Sequence, residues 1–232
     1  MPIAAWPAPD GGALEVSGEY ALAFDSGRTR RLLILPPLFD EANKVRHTLV
    51  EVMRRLDRMG IDCFLPDLPG CNESLAPLEG QWLAGWRAAA IAAAGHFAAT
   101  HLLTVRAAAI LAPPALSGWR YAPTGGANAL RAMLRARSIS GRESGISESA
   151  EDLLQAGRSV GLELAGYRLG PQMVRDLEGA RLPDSGRLAD IPHAAIGGPA
   201  PWLRAEPGFD PAQADTLAGF LAVELGKVEL GK

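Results

Sequence analysis

The chain has few of the residues that usually announce chemistry. Across 232 residues there are two cysteines, Cys63 and Cys71, and four histidines, His47, His96, His101 and His193. Two cysteines at this spacing, with no histidine pair beside them, match no zinc pattern, and a metal site is not expected. In a reducing compartment both are expected as thiols. Four histidines leave little room for acid–base schemes. The sequence Gly-x-Ser-x-Gly, the strained turn that presents a serine nucleophile, occurs nowhere. No apolar run is long enough to cross a bilayer. The start, "MPIAAWPAPDGG", lacks the basic segment and continuous apolar segment of a signal peptide, so a cytoplasmic location is expected. A net charge of -3 gives no general reason to expect nucleic acid. No cofactor motif is present.

What is there suits a globular core: 48% hydrophobic and 21% charged residues. "GALEVSGEYALAFD" (12–25) reads as two short strands around Gly18. "RRLLILPP" (30–37) is a continuous apolar run bounded by charge and proline, as expected of a strand buried on both faces. In "NKVRHTLVEVMRRLDRMG" (43–60), Val45, Leu49, Val52, Met53 and Leu56 recur at helical spacing, with Asn43 as N-cap and Gly60 closing the helix. "IDCFLPD" (61–67) is a second buried strand, which makes a βαβ unit with parallel strands. An alanine-rich helix (79–100) carries Trp82 and Trp86, and the strand "HLLTV" (101–105) follows. The alternation predicts a doubly wound, mostly parallel α/β sheet in a single domain spanning 1–232.

From 119 to 182 the texture changes to charged helix, predicting a helical, cap-like insertion. It should hold helices near 127–140 and 147–157, one short strand "GLELAGY" (161–167) and a helix after Pro171. The last strand and its loop are expected within "LADIPHAAIGGPAPWLRAEPGFDP" (188–211), with "AAIGG" (194–198) as a strand or turn, and a C-terminal helix at 211–225.

Ligands of open α/β sheets bind beyond the carboxyl ends of the strands. The loop after the first buried strand carries Asp40, Glu41, Asn43, Lys44 and Arg46 at a helix start, where anions are favoured. A solvated helix start with local ion pairs is the plainer alternative. The next loop, "DLPGCNES" (67–74), holds Cys71 and Ser74. With His47 these are the candidates for a non-standard ester or thioester hydrolase, although no base lies beside Cys71 in sequence. After the third strand, "TVRAA" (104–108) lies where a nucleophile turn belongs, but its centre is Arg106, which cannot attack a carbonyl. About seven residues then separate Arg106 from "PPALSGW", too few for the dozen or more a parallel crossover normally takes. The usual helix and a following parallel strand are therefore not both expected; "AAAIL" should either continue as a short strand or form an abbreviated turn of helix. His193 is expected before the last strand, the wrong end for a catalytic histidine. Beyond it, Trp202, Arg204 and Glu206 supply the remaining polar and aromatic groups.

Taken together these segments resemble the exosortase A system-associated hydrolases, an α/β-hydrolase-like family of Gram-negative bacteria. The resemblance rests on "LLILPPLFDEANKVRHTLVEVMRRLDRMGIDCFLPDLPGCNES", with its proline-rich loop, Glu-x-Asn-Lys-x-Arg and Asp-Leu-Pro-Gly-Cys-Asn-x-Ser. It extends through "LSGWRY", "LRAMLRAR", "GRSVGLELAGYRLGPQMV" and "PWLRAEPGFDP", covering most of 30–212. It implies a reduced α/β-hydrolase fold and a link to exopolysaccharide production and exosortase sorting. It also implies an elbow reading Gly-Leu-Arg rather than Gly-x-Ser. This chain departs further, with Thr104 and Ala108 where glycines belong. Three functions follow as expectations. The first is a catalytically degenerate protein that binds a small anionic or carbohydrate-linked ligand, or a protein partner. Its pocket would have Lys44, Arg46 and Arg106 on one side, with Glu41 and Asn43, and Trp202 and Glu206 opposite. The second is the hydrolase of Cys71, Ser74 and His47. The third is an assembly role, with a homodimer formed through tryptophan-bearing loops.

Overall fold

A computed structural model describes residues 3–9, 18–143, 148–184, 186–204 and 206–230. Strands β1 (Ile3–Pro7), β2 (Gly18–Phe24), β3 (Arg31–Leu35), β4 (Asp62–Pro66), β5 (His101–Val105), β6 (Ser117–Tyr121) and β9 (Leu188–Ile191) form one sheet. Their order is β1-β2-β4-β3-β5-β6-β9. The two leading strands pair antiparallel, and β4, β3, β5, β6 and β9 run parallel. Of the two strands expected around Gly18, the second is β2. The segment assigned to the first, 12–17, lies outside the described residues, and the partner of β2 is Ile3–Pro7.

The apolar run of β3 is buried on both faces, as its composition requires. Leu32 and Ile34 pack with α1 (Asp40–Arg58) and α7 (Pro211–Leu230), while Leu33 and Leu35 face Trp86 of α2 (Leu83–His96). On α1 the stripe Val45, Leu49, Val52, Met53 and Leu56 is buried throughout, and Gly60 follows at φ +78°. The helix starts earlier than expected, however. Phe39 takes the N-cap position at φ 57° with no side-chain cap, and Asn43 lies inside the first turns.

The connection after β5 is shortened as the sequence required, whereas the strand at the sheet's far edge is displaced. A parallel strand does follow β5 closely. The crossover helix is replaced by a six-residue 3-10 turn, Arg106–Leu111, anchored where Arg87 Nε donates to the Ile110 carbonyl at 3.0 Å. A 3-10 turn spans more length per residue than an α-helix, which lets the short connection return to the sheet. The last strand is Leu188–Ile191, at the start of the expected 188–211 stretch; 194–198 is no strand, and His193 follows β9 at the head of the short α6 (His193–Ile196). An edge strand with only its two end residues buried carries too weak an apolar signal to be read from sequence.

Between β6 and β9 lie α3 (Gly126–Glu143), α4 (Ala150–Val160), the strands β7 (Leu162–Leu164) and β8 (Tyr167–Leu169), and α5 (Pro171–Gly179). Trp119, Arg120 and Tyr121 belong to the sheet, so the helical segment begins at Gly126 rather than 119. "GLELAGY" is not one strand but most of a hairpin, turning at Ala165 (φ 49°) and Gly166 (φ 82°). Among the described residues no helix is long and apolar enough to cross a membrane.

Candidate functional site

The connection from β3 runs by α1 to β4 on one side, and the connection from β4 returns by α2 to β5 on the other. The chain therefore changes direction at β3 and β5, and the space beyond their carboxyl ends is where such folds bind ligands. Five loops meet there: 36–39, 67–74, the corner at 106, 122–125 and 192–200.

Arg106 takes the corner between β5 and the 3-10 turn at φ 56°, a left-handed conformation costly for a residue with a Cβ. Thr104 and Ala108, two places to either side, are fully buried, and the Thr104 hydroxyl has no hydrogen-bond partner. The backbone thus turns sharply at Arg106 from strand into 3-10 helix. The side chain crosses to α1. Its Nε and Nη2 donate to the two carboxylate oxygens of Glu41 at 3.0 and 3.2 Å, and Nη1 donates to the Ala122 carbonyl at 3.0 Å. The guanidinium also lies over the Trp202 ring, 4.4 Å from its centroid. One planar cation thereby joins the ends of β5 and β6, the first turn of α1 and the segment 201–203.

His193, placed by the shifted β9 at the carboxyl end of the sheet, belongs to the same cluster. Its Nε2 is 3.1 Å from the Gly198 carbonyl, which can only accept, so Nε2 carries the proton. In the neutral imidazole, Nδ1 then accepts from the Tyr121 hydroxyl at 2.7 Å. Burial pushes the Tyr121 phenol up to about 12, with Arg106 acting in the opposite direction, so the hydroxyl stays protonated and donates. Trp202 packs edge-on to both rings. Tyr121 did not stand out in the sequence, and His193 was expected at the opposite end of the last strand. Their pairing depends on where β9 ends, which no local pattern revealed.

The expected electropositive wall is not assembled. Lys44 pairs with Asp40 at 2.7 Å and Arg46 with the buried Asp67 at 3.0 Å, while Arg106 is held by Glu41. Trp202 lies under Arg106 instead of opposite it, and Glu206 is exposed in the loop beyond. All three cations therefore already have carboxylate partners. The candidates for unorthodox hydrolysis are also kept apart. His47 stacks on Phe209, 4.7 Å between centroids, on the α7 side. Ser74 is tied into its own loop: its Oγ donates to the buried Glu19 carboxylate at 2.8 Å and accepts from the Gly70 and Ala76 amides. Burial, with Asp67 and Glu19 adding to it, pushes the Cys71 thiol up to about 12, far from a thiolate at neutral pH. The sequence "GRESG" (141–145) comes nearest to Gly-x-Ser-x-Gly, but its Ser144 stands one place late and lies outside the described residues.

Two cavities flank the loop 36–44. One, of about 200 Å³, lies between Phe39, Leu68, Cys71, Asn72 and Tyr167. In its wall the Asn43 amide donates to the Tyr167 hydroxyl at 2.9 Å. The other, of about 160 Å³, runs between Glu41, Lys44, Met133, Ala136 and Trp202. Phe39, at φ 57°, packs against Trp86 and Tyr167 beside the first.

A mostly parallel sheet, strand order with an antiparallel lead, an elbow after β5 and a helical segment after β6 define the α/β-hydrolase fold. Solved structures agree. α/β-Hydrolase domain-containing protein 10 from mouse is 13% identical, with a TM-score of 0.54 over 98% of this chain and 100% of that one. Est1E from Butyrivibrio proteoclasticus is 12% identical, with a TM-score of 0.54 over 99% of both chains. At this identity the likeness is one of fold. No protein-family model matches the chain, and no curated protein matches it in sequence at a significant level.

Proposed function

We propose that this chain is an α/β-hydrolase-fold protein that binds rather than hydrolyses. The observation that carries the reading is the apex of the elbow. The residue there is Arg106, and its guanidinium is engaged by Glu41, the Ala122 carbonyl and Trp202. A serine hydrolase needs a nucleophile at that point with a base in reach. Here the nearest imidazole, His193, is occupied by Tyr121 and Gly198. The ligand would be small and carbohydrate-linked. An anion would have to compete with the carboxylates that already hold Lys44, Arg46 and Arg106, so the neutral part of such a ligand is the better match. The exosortase-associated resemblance points to exopolysaccharide-related processes as its setting.

The test is hydrolysis of p-nitrophenyl acetate, p-nitrophenyl butyrate and an acyl thioester by the purified chain. No saturable turnover is expected. Saturable turnover lost in Cys71→Ala, Ser74→Ala or His47→Ala overturns the proposal in favour of an unorthodox hydrolase.

A further inference from the structure

The two cavities beside the loop 36–44 share one wall, Leu38, and are parted by the tip of the β7–β8 hairpin. Ala165 of that tip lines the smaller cavity and Tyr167, two residues on, lines the larger. The hairpin is rooted by the fully buried Leu164 and by Arg137 Nη1 donating to the Glu163 carbonyl at 2.6 Å, while its tip meets α1 through the Asn43 amide donating to the Tyr167 hydroxyl at 2.9 Å and the edge contact of Tyr167 with Phe39. The halves differ in chemistry. The larger is lined by neutral polar groups, Asn43, Asn72, Cys71 and the Tyr167 hydroxyl, among proline, leucine and phenylalanine, and among the described residues no charged side chain lines it. The smaller is an apolar slot made by the alanine face of α3, Ala129, Ala132 and Ala136, with Met133 and Trp202. Its charged groups are Asp40 and Lys44, paired with one another, and Glu41, paired with Arg106.

We infer that the two cavities are halves of one elongate binding crevice that takes an amphiphile. A neutral hydroxylated head occupies the Asn43–Asn72–Cys71 half, and a short alkyl tail lies along the alanines of α3, with the hairpin tip moved aside. Neutral hydroxyls match the Asn43 and Asn72 amides and the Cys71 thiol, and among the described residues no free charge is offered to a charged head. Together the halves make about 360 Å³ (200 plus 160) before the tip moves, within the roughly 300–1,000 Å³ usual for small-molecule sites. This deepens the proposed binding role and rests on it.

The experiment is isothermal titration of the full chain with hexyl, heptyl and octyl β-D-glucoside, each below its micelle concentration, with glucose and octanoate alongside. The glucosides should bind, each added methylene tightening binding about three- to fourfold until the slot is filled. Octanoate, with a charged head, should bind at least tenfold more weakly than octyl glucoside. Ala132→Phe, a change at an exposed helix position that blocks the slot, should weaken octyl glucoside about tenfold without altering thermal stability. Tyr167→Phe, which keeps the ring and removes the latch, should tighten it severalfold. Absence of binding, affinity independent of chain length, or binding indifferent to Ala132→Phe overturns the inference. These ligands contain no ester, so the result is independent of hydrolysis. Ester turnover would overturn the proposed function, whereas a silent protein that ignores the glucosides overturns only the crevice.

Discussion

At the residue scale, Arg106 combines an unfavourable backbone with a side chain that offsets it. The left-handed conformation costs a residue with a Cβ roughly 1–2 kcal/mol relative to the right-handed region, and glycine escapes that cost. A two-pronged ion pair, a third hydrogen bond and an aromatic face under the guanidinium act in the other direction. Because the pair is about one-fifth exposed on each side, solvent screens part of it. Arg106→Ala is expected to lower unfolding free energy by about 2 kcal/mol, the range for hydrogen bonds to charged groups. Arg106→Gly should cost about 0.5–1 kcal/mol less than the alanine variant, because it relieves the backbone. Urea denaturation of the two variants checks this. Equal losses would mean that the corner is not strained, and the elbow description would fail. Sequence alone singled out Arg106 as the residue that follows β5. It could not identify Glu41 as its partner, since 65 residues separate them and only the packing of α1 beside β5 brings them together.

At the element scale, β6 shows how a short connection is accommodated. Gly118 sits at φ 155°, where a Cβ would fall 1.9 Å from the Leu102 carbonyl oxygen of β5. The two strands pair through Leu102 and Gly118, so no side-chain movement can relieve the overlap. Gly118→Ala is expected to cost at least about 3 kcal/mol, in the tail of single-substitution effects, or to prevent folding. Thermal denaturation, or the soluble yield where the variant does not fold, measures it. A near-neutral effect would show that β6 is not held so closely against β5. The central elements β3, α1, β4 and β5 were legible because each carries a complete apolar pattern of its own. β9 was not, since two of its four residues are exposed. The hairpin β7–β8 was half legible: its residues were recognised as extended, but the turn at Ala165 was not, because alanine rarely adopts a positive φ and nothing local marks it.

At the scale of the whole molecule, the two ends of the sheet are built differently. Beyond the carboxyl ends lie the cavities and the Arg106 cluster. At the amino ends, the fully buried Asp62 accepts from the Ser26 and Arg28 amides and from the guanidinium groups of Arg28 and Arg31, and Asp25 accepts twice from Arg31. Arg31 beside Asp25 lowers its carboxyl from 3.8 to about 2. A carboxylate depressed in the folded state stabilises above its unfolded value and loses that contribution as pH falls towards the folded value. Stability should therefore decline as pH drops from about 4 to about 2, and Asp25→Asn should flatten that decline without changing the trend above pH 5. Denaturation midpoints measured across this range decide the matter, and added salt should shrink the difference, because Asp25 is nearly half exposed. An unchanged acid slope in the variant would remove Asp25 from the account.

The sequence by itself determined the doubly wound core. Its buried strands and amphipathic helix state their own burial through local apolar periodicity, and each is long enough for that pattern to be unambiguous. It also determined that no Gly-x-Ser-x-Gly stands anywhere in the chain, since that is a matter of residue type. Only the tertiary structure decided what the remaining residues do. Arg106 meeting Glu41, Tyr121 meeting His193, and Tyr167 closing over Asn43 are contacts between segments distant in the chain. Such contacts depend on crossover geometry and strand ends, and no short-range preference encodes them.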